Sequence, residues 1–158
     1  MKDKVLKIIS GGQTGADQGG LKAAKELGIP TGGCAPKGYK TEKGPNMDLM
    51  KTYVLHQSSS SSYNPRTEEN VSKSDATIIF SAVNSPGSAL TENVCKSKGK
   101  PFMSVDPYNS NPEEIGSFIS GIYEEKGRKI IINVAGNRES KSPGIEETVK
   151  DIMLKIFS

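Results

Sequence analysis

Four glycine-punctuated segments hold most of the residues that could do chemistry. The first is Ser10-Gly11-Gly12-Gln13-Thr14-Gly15-Ala16-Asp17, set between an apolar run and a helical pattern. Glycines let a backbone approach a ligand closely, and free N–H groups at a helix start favour negative charge. Gln13 and Thr14 add neutral side-chain donors. Asp17 is either a cap or a carboxylate facing the ligand. No Gly-Lys-Ser/Thr follows, so this is not a Walker A loop, and the Gly-x-Gly-x-x-Gly spacing of dinucleotide sites fails from Gly11.

The second segment, Asn84-Ser85-Pro86-Gly87-Ser88-Ala89-Leu90-Thr91, repeats the arrangement, with Gly87, Ser88 and Thr91 at another helix start. Two such turns after two strands point to a phosphate or other oxyanion in a shared crevice. The third, Thr31 to Lys40, carries Lys37 in a turn held by Gly and Pro. The fourth, Asn133 to Gly144, carries Gly136, Arg138, Ser140 and Lys141. Arginine suits bidentate oxyanion recognition, and lysine acts as a point charge. Arg66 lies on a short helix before the strongest strand. Each of these cations taken alone is also served by a solvated surface role. Cys34 could serve as a soft-metal ligand or a nucleophile, but a lone cysteine with no adjacent base reads as structural, as do His56 and Cys95, and no metal site is expected.

These loops need a scaffold that delivers them to one edge. Residues 5–9, 76–80, 101–105 and 129–134 read as strands, and 53–56 as a weaker one. Helices are predicted over 17–27, from Asn64-Pro65 to 73, over 88–98, from Asn111-Pro112 through Ile122, and over the apolar stripe of Ile145, Val149, Ile152, Met153 and Ile156. Alternation of strand and helix predicts a Rossmann-like, doubly wound α/β domain: a mainly parallel sheet of five or six strands with helices on both faces. In such sheets ligands bind beyond the carboxyl ends of the strands, where all four segments fall. Ser58 to Ser62 reads as a surface loop.

Composition narrows the classes. The 158 residues suit one domain spanning 1–158. The net charge of +3, from 21 basic and 18 acidic residues, is too small to imply nucleic-acid binding. No apolar run is long enough to span a membrane and no secretory leader is evident. Two cysteines without a disulfide framework predict a cytoplasmic protein.

The motifs Ser10 to Asp17, Pro36-Lys37-Gly38, Arg66-Thr67-Glu68-x-Asn70-Val71, Gly87-Ser88-Ala89-Leu90-Thr91 and Asn133-Val134-Ala135-Gly136-x-Arg138-Glu139-Ser140-Lys141-x-Pro143-Gly144 together resemble the molybdenum carrier family over nearly the whole chain. The resemblance implies a Rossmann-like fold and a phosphate-bearing pterin- or nucleotide-like ligand, with molybdenum cofactor as the carried molecule and no other cofactor required. It also implies kinship with the lysine-decarboxylase-like group, which includes phosphoribohydrolases that cut nucleoside monophosphates. In that alternative Glu92 aligns with a catalytic glutamate and Arg66 positions phosphate, although the glycines and threonine of the enzymes' loop are largely replaced here. A nucleotide-sensing domain is the third reading. Relatives of this fold often assemble, so a homo-oligomer is an expectation from resemblance.

Overall fold

The computed structural model describes residues 1–158. The chain opens with β1 (Val5–Ile9), whose Val5, Ile8 and Ile9 are buried. Helix α1 (Ala16–Leu27) follows and stops where Gly28 takes a left-handed conformation, its N–H returning to the carbonyls of Ala24 and Lys25. Then come β2 (Thr31–Gly32), β3 (Cys34–Ala35), β4 (Lys40–Thr41), β5 (Gly44–Pro45), α2 (Asp48–Lys51) and β6 (His56–Gln57). These short elements enclose a small core of Leu21, Ala35, Tyr39, Leu49 and Leu55. The remaining chain alternates regularly: α3 (Tyr63–Lys73), β7 (Ala76–Phe80), α4 (Pro86–Lys98), β8 (Phe102–Val105), α5 (Pro112–Lys126), β9 (Ile130–Gly136) and α6 (Ile145–Phe157).

Five strands form one sheet in the order β2-β1-β9-β7-β8, and every pairing is parallel. All residues of β7 are buried, as expected for a strand covered on both faces. Ile78, Ile79 and Phe80 each contribute about 1.5–3 kcal/mol by leaving water. The main core joins α1, α5 and α6 to the sheet, and a smaller cluster of Val71, Val94 and Cys95 joins α3 to α4. The Rossmann-like expectation therefore holds, with five strands in the main sheet.

The strand order has a further meaning. Counted from β9 through β1, β2, β7 and β8, the sheet reads 3-2-1-4-5, the order of doubly wound nucleotide-binding sheets. The strand that would come first in that scheme comes last in this chain. The order reverses at β9, so the ligand crevice of such a sheet falls at the carboxyl end of β9, between β1 and β7.

Three local departures have physical causes. The strand expected over 53–56 is interrupted because Val54 is exposed with a φ of 61°, which leaves only His56 and Gln57 to pair with β3. Helix α3 starts at Tyr63, with Ser62 at the cap position and Asn64 inside. Pro65 is tolerated there because first-turn N–H groups lack intrahelical partners. Helix α4 starts at Pro86, capped by Ser85, whose side chain accepts the Ser88 N–H.

Candidate functional site

A cavity of about 290 Å³ lies beyond the carboxyl ends of β1, β9 and β7, bounded by α3 and the start of α4. Asp17, in the first turn of α1, is one of its most buried residues. Its Oδ2 accepts the Gln13 N–H at 3.0 Å and Arg66 Nη1 at 3.1 Å. Burial pushes the Asp17 carboxyl up from its usual range, and Arg66 and the Gln13 N–H offset only part of this. Arg66 reaches across from α3 through space that only a glycine leaves: a Cβ on Gly11 would lie 1.4 Å from Nη1. Gly136 plays a related part between β9 and β7. Its φ is 151°, and a Cβ there would lie 2.0 Å from the Phe80 carbonyl oxygen.

Cations gather around one aromatic ring. Arg66 and Lys40 each lie 5.3 Å from the centre of the Tyr63 ring, and Arg138 lies 5.7 Å from it. Arg138 and Lys141 line the same cavity as Arg66. Asp17 is the one carboxylate lining it, so positive charge predominates. The first turn of α4 borders the cavity at Pro86 and Gly87 and adds the favourable end of a helix dipole.

Two buried polar atoms at this site have no hydrogen-bond partner: Gln13 Nε2 and Arg66 Nε. The Gln13 amide is fixed from its other end, where Oε1 accepts the N–H groups of Thr14 at 3.0 Å and Glu42 at 2.9 Å. A buried unmet donor costs about 1–3 kcal/mol, which an acceptor arriving with a ligand removes.

Of the residues singled out from the sequence, Gln13, Asp17, Arg66, Gly87, Thr91, Gly136, Arg138 and Lys141 line this cavity together. Gly11 shapes it through Arg66. Gly12 turns behind it, against Leu49 and Leu55, and Gly15 packs on the backbone of Asn137 to Glu139. Ser88 is buried and accepts from Asn137 Nδ2 at 3.2 Å. Lys37 is exposed on a turn and lies outside the cavity.

Thr14 and Ser140 hold an oxyanion that belongs to the chain. Both hydroxyls donate to the Glu42 carboxylate, and the Ser140 N–H adds a bond of 3.1 Å. Burial raises the Glu42 carboxyl, but the bonds from Ser140 and Thr14 outweigh this and hold it below the ordinary glutamate value. Glu92 lines a separate depression with Ser81, Asn84 and Ser104 and pairs with Lys96 at 3.3 Å. The fold therefore does not bring Glu92 and Arg66 into one cavity.

Sequence reasoning missed three contributors here. Tyr63 was placed ahead of its helix, although it stands one turn before Arg66. Glu42 sits in a hairpin whose sequence carries no anion signal. Asn137 was a wild-card position in the last motif, yet its buried amide accepts the N–H groups of Ala82 and Val83 and donates to the Val83 carbonyl and the Ser85 and Ser88 hydroxyls. It joins β9 to the loop that starts α4. The signal was available: an asparagine directly after a strand-ending glycine.

The expectation of no metal-ligand cluster is also altered. Cys34, His56 and Glu69 come from three separate elements, and their ligand atoms lie within 4.8 Å of one another. Linear spacing carries no trace of this, because β3–β6 pairing and α3 packing create it.

A doubly wound sheet whose first-position strand comes last, with a cation-lined crevice at the order reversal, defines a permuted Rossmann-like fold. The family model described as the circularly permutated YpsA SLOG family matches residues 8–157, and the chain belongs to that family. It is similar to a crystal structure of the Putative molybdenum carrier protein from Syntrophus aciditrophicus SB, at 36% sequence identity and a TM-score of 0.84, covering 98% of this chain and 96% of that one. A search of curated proteins finds no match. No helix is long and apolar enough to cross a membrane.

Proposed function

We propose that the chain binds and carries a phosphate-bearing pterin- or nucleotide-like molecule in the cavity between β1, β9 and β7. The molybdenum carrier similarity makes molybdenum cofactor the leading cargo. The observation that carries the reading is the pair of unmet buried donors, Gln13 Nε2 and Arg66 Nε, beside a cluster of cations. An oxyanion supplies the missing acceptors and balances Arg66, Arg138 and Lys141. Tyr63 gathers Lys40, Arg66 and Arg138 around its ring and so concentrates positive charge beside the cavity. The cavity, about 290 Å³, is at the small end for small-molecule sites and suits a mononucleotide-sized ligand better than a dinucleotide. The dithiolene of the pterin itself holds molybdenum, so carriage requires no bond between protein and metal. A cytoplasmic setting accords with two free, buried cysteines.

Hydrolysis of nucleoside monophosphates is the weaker reading, because Glu92 faces another depression and Asp17 is engaged by Arg66. Calorimetry with inorganic phosphate, a nucleoside-monophosphate panel and molybdopterin tests the binding reading, with chromatography for released base run alongside. Binding of a phosphate-bearing ring compound without base release, weakened at least about tenfold in Arg138→Ala, is expected. Absence of binding across the set would overturn the reading, and base release abolished by Glu92→Gln would replace it with the hydrolase.

A further inference from the structure

Outside the anion cavity, one cluster of side chains has a composition suited to a cation. Cys34 opens its short strand directly opposite His56, its register partner in the parallel β3–β6 pair. Neighbouring positions of a parallel pair send their side chains to the same face. Glu69 approaches from α3 and contacts His56 Nε2. The three ligand atoms, one sulfur, one ring nitrogen and one carboxylate oxygen, all lie within 4.8 Å of one another.

The sulfur is held in place by its backbone. Asn70, one residue after Glu69, is buried and gives its whole amide to Cys34: Oδ1 accepts the Cys34 N–H at 2.8 Å and Nδ2 donates to the Cys34 carbonyl at 3.0 Å. This clamp fixes β3 against α3 and sets the distance between Cys34 Sγ and Glu69. The thiol meets the Ala35 carbonyl weakly, at 3.7 Å, and is also engaged by the Glu69 carboxylate. Cys34 itself is 1% exposed, while the His56 and Glu69 side chains are 54% and 33% exposed. The sulfur thus forms the floor of a site whose other two ligands are open to solvent, which provides an entry path.

From this geometry we infer that Cys34, His56 and Glu69 form a binding site for a zinc-class divalent cation. Thiolate, imidazole and carboxylate are the donor types of zinc sites. A tetrahedral ion with the usual bond lengths separates its ligand atoms by roughly 3.3–3.6 Å, inside the spread seen here. Modest side-chain adjustment, opening the His56–Glu69 contact around the ion, completes three bonds. The fourth position faces outward for water or an incoming ligand. Lys73, whose ammonium lies 3.3 Å from Glu69 Oε2, is largely exposed and gives way to the stronger charge. Binding releases the Cys34 thiol proton to solvent as the thiolate bonds the metal. The site is separate from the anion cavity, although Glu69 stands one turn beyond Arg66 on the same helix.

The test titrates the full chain, stripped with a chelator, with Co²⁺ and then Zn²⁺. One Co²⁺ per chain is expected, with a near-ultraviolet thiolate-to-cobalt charge-transfer band and the intense visible bands of four-coordination, both removed by added Zn²⁺. Cys34→Ser should abolish the charge-transfer band. His56→Gln, at an exposed position that does not threaten folding, should weaken Zn²⁺ binding at least about tenfold in calorimetry. Cys95→Ser, in α4, should leave the band intact. Failure to see the band, its loss in Cys95→Ser, or equal Zn²⁺ affinity in His56→Gln and the parent would each overturn the assignment. Circular dichroism confirms that each variant is folded.

Discussion

Two donor-rich corners flank the loop between β1 and α1, and they are filled differently. At one, Gln13, Arg66, Arg138 and Lys141 surround a cavity in which two buried donors lack acceptors. At the other, Thr14 and Ser140 are saturated by Glu42, brought in by the β4–β5 hairpin. Both corners draw donors from glycine-rich loops, but the first adds the cations Arg66, Arg138 and Lys141. Both also hold a carboxylate of the chain, but Asp17 leaves Gln13 Nε2 and Arg66 Nε unmet, whereas Glu42 takes up the donors around it. Their carboxyl groups also behave oppositely: burial dominates at Asp17 and raises it, while hydrogen bonds dominate at Glu42 and lower it.

The largest effect is expected from Arg66→Ala. It leaves the Asp17 carboxyl buried without its cationic partner and should cost about 3 kcal/mol in urea unfolding, together with loss of ligand binding. A stability change below about 1 kcal/mol would show that the pair does not organise the cavity. Asn137→Ala should cost about 2 kcal/mol, because it strands the N–H groups of Ala82 and Val83. It should also weaken binding by loosening the start of α4, and undiminished affinity would separate that helix from the site.

Thr14→Val sharpens the contrast further. It should cost about 1 kcal/mol through the lost bond to Glu42, with ligand affinity unchanged in calorimetry. A marked loss of affinity would instead mean that the ligand displaces Glu42 and that the two corners are one site.

The smallest effect concerns pH. Because Glu42 is held below its unfolded value, its contribution is present above the ordinary glutamate range near 4.5 and is lost as pH falls through its folded value. Glu42→Gln should therefore flatten the acid limb of a stability profile measured by thermal unfolding. A raised group such as Asp17 works in the opposite sense: it favours the folded state at low pH, and that advantage fades as pH rises past its unfolded value. An unaltered acid limb in the Glu42 variant would remove the self-supplied carboxylate from the account.

Much of the scaffold was legible because its signals are local. The apolar run of 76–80 is buried on both faces, and Asn111 does cap α5, accepting the Glu113 N–H at 3.0 Å. Seven of the eight cavity-lining residues found from the sequence fall in segments after strands, which share an edge of the sheet; Arg66, on α3, drew its role from the family resemblance. Non-local arrangement was not legible. Nothing near 130–136 marks that strand as central, since strand order depends on which edges the completed sheet leaves free. Lys37 looked equivalent to Arg138, yet its turn points elsewhere. Glu42, Cys34, His56 and Glu69 acquire partners only through the small strands between 34 and 57, whose two-residue lengths are too short for periodicity to register.

The position of β9 carries a consequence for how the molecule comes into being. β1 and β2 form one half-sheet and β7 and β8 another, and β9 alone is bonded to both halves. It is also the last of the five to leave a ribosome. A nascent chain therefore holds two half-sheets with facing unpaired edges, the condition most prone to wrong pairing and aggregation. The crevice takes Ala135, Gly136, Arg138 and Lys141 from β9 and the loop after it, so its wall is incomplete until β9 inserts. Closing the sheet and completing the crevice therefore depend on the same strand, and a chain truncated before β9 has neither.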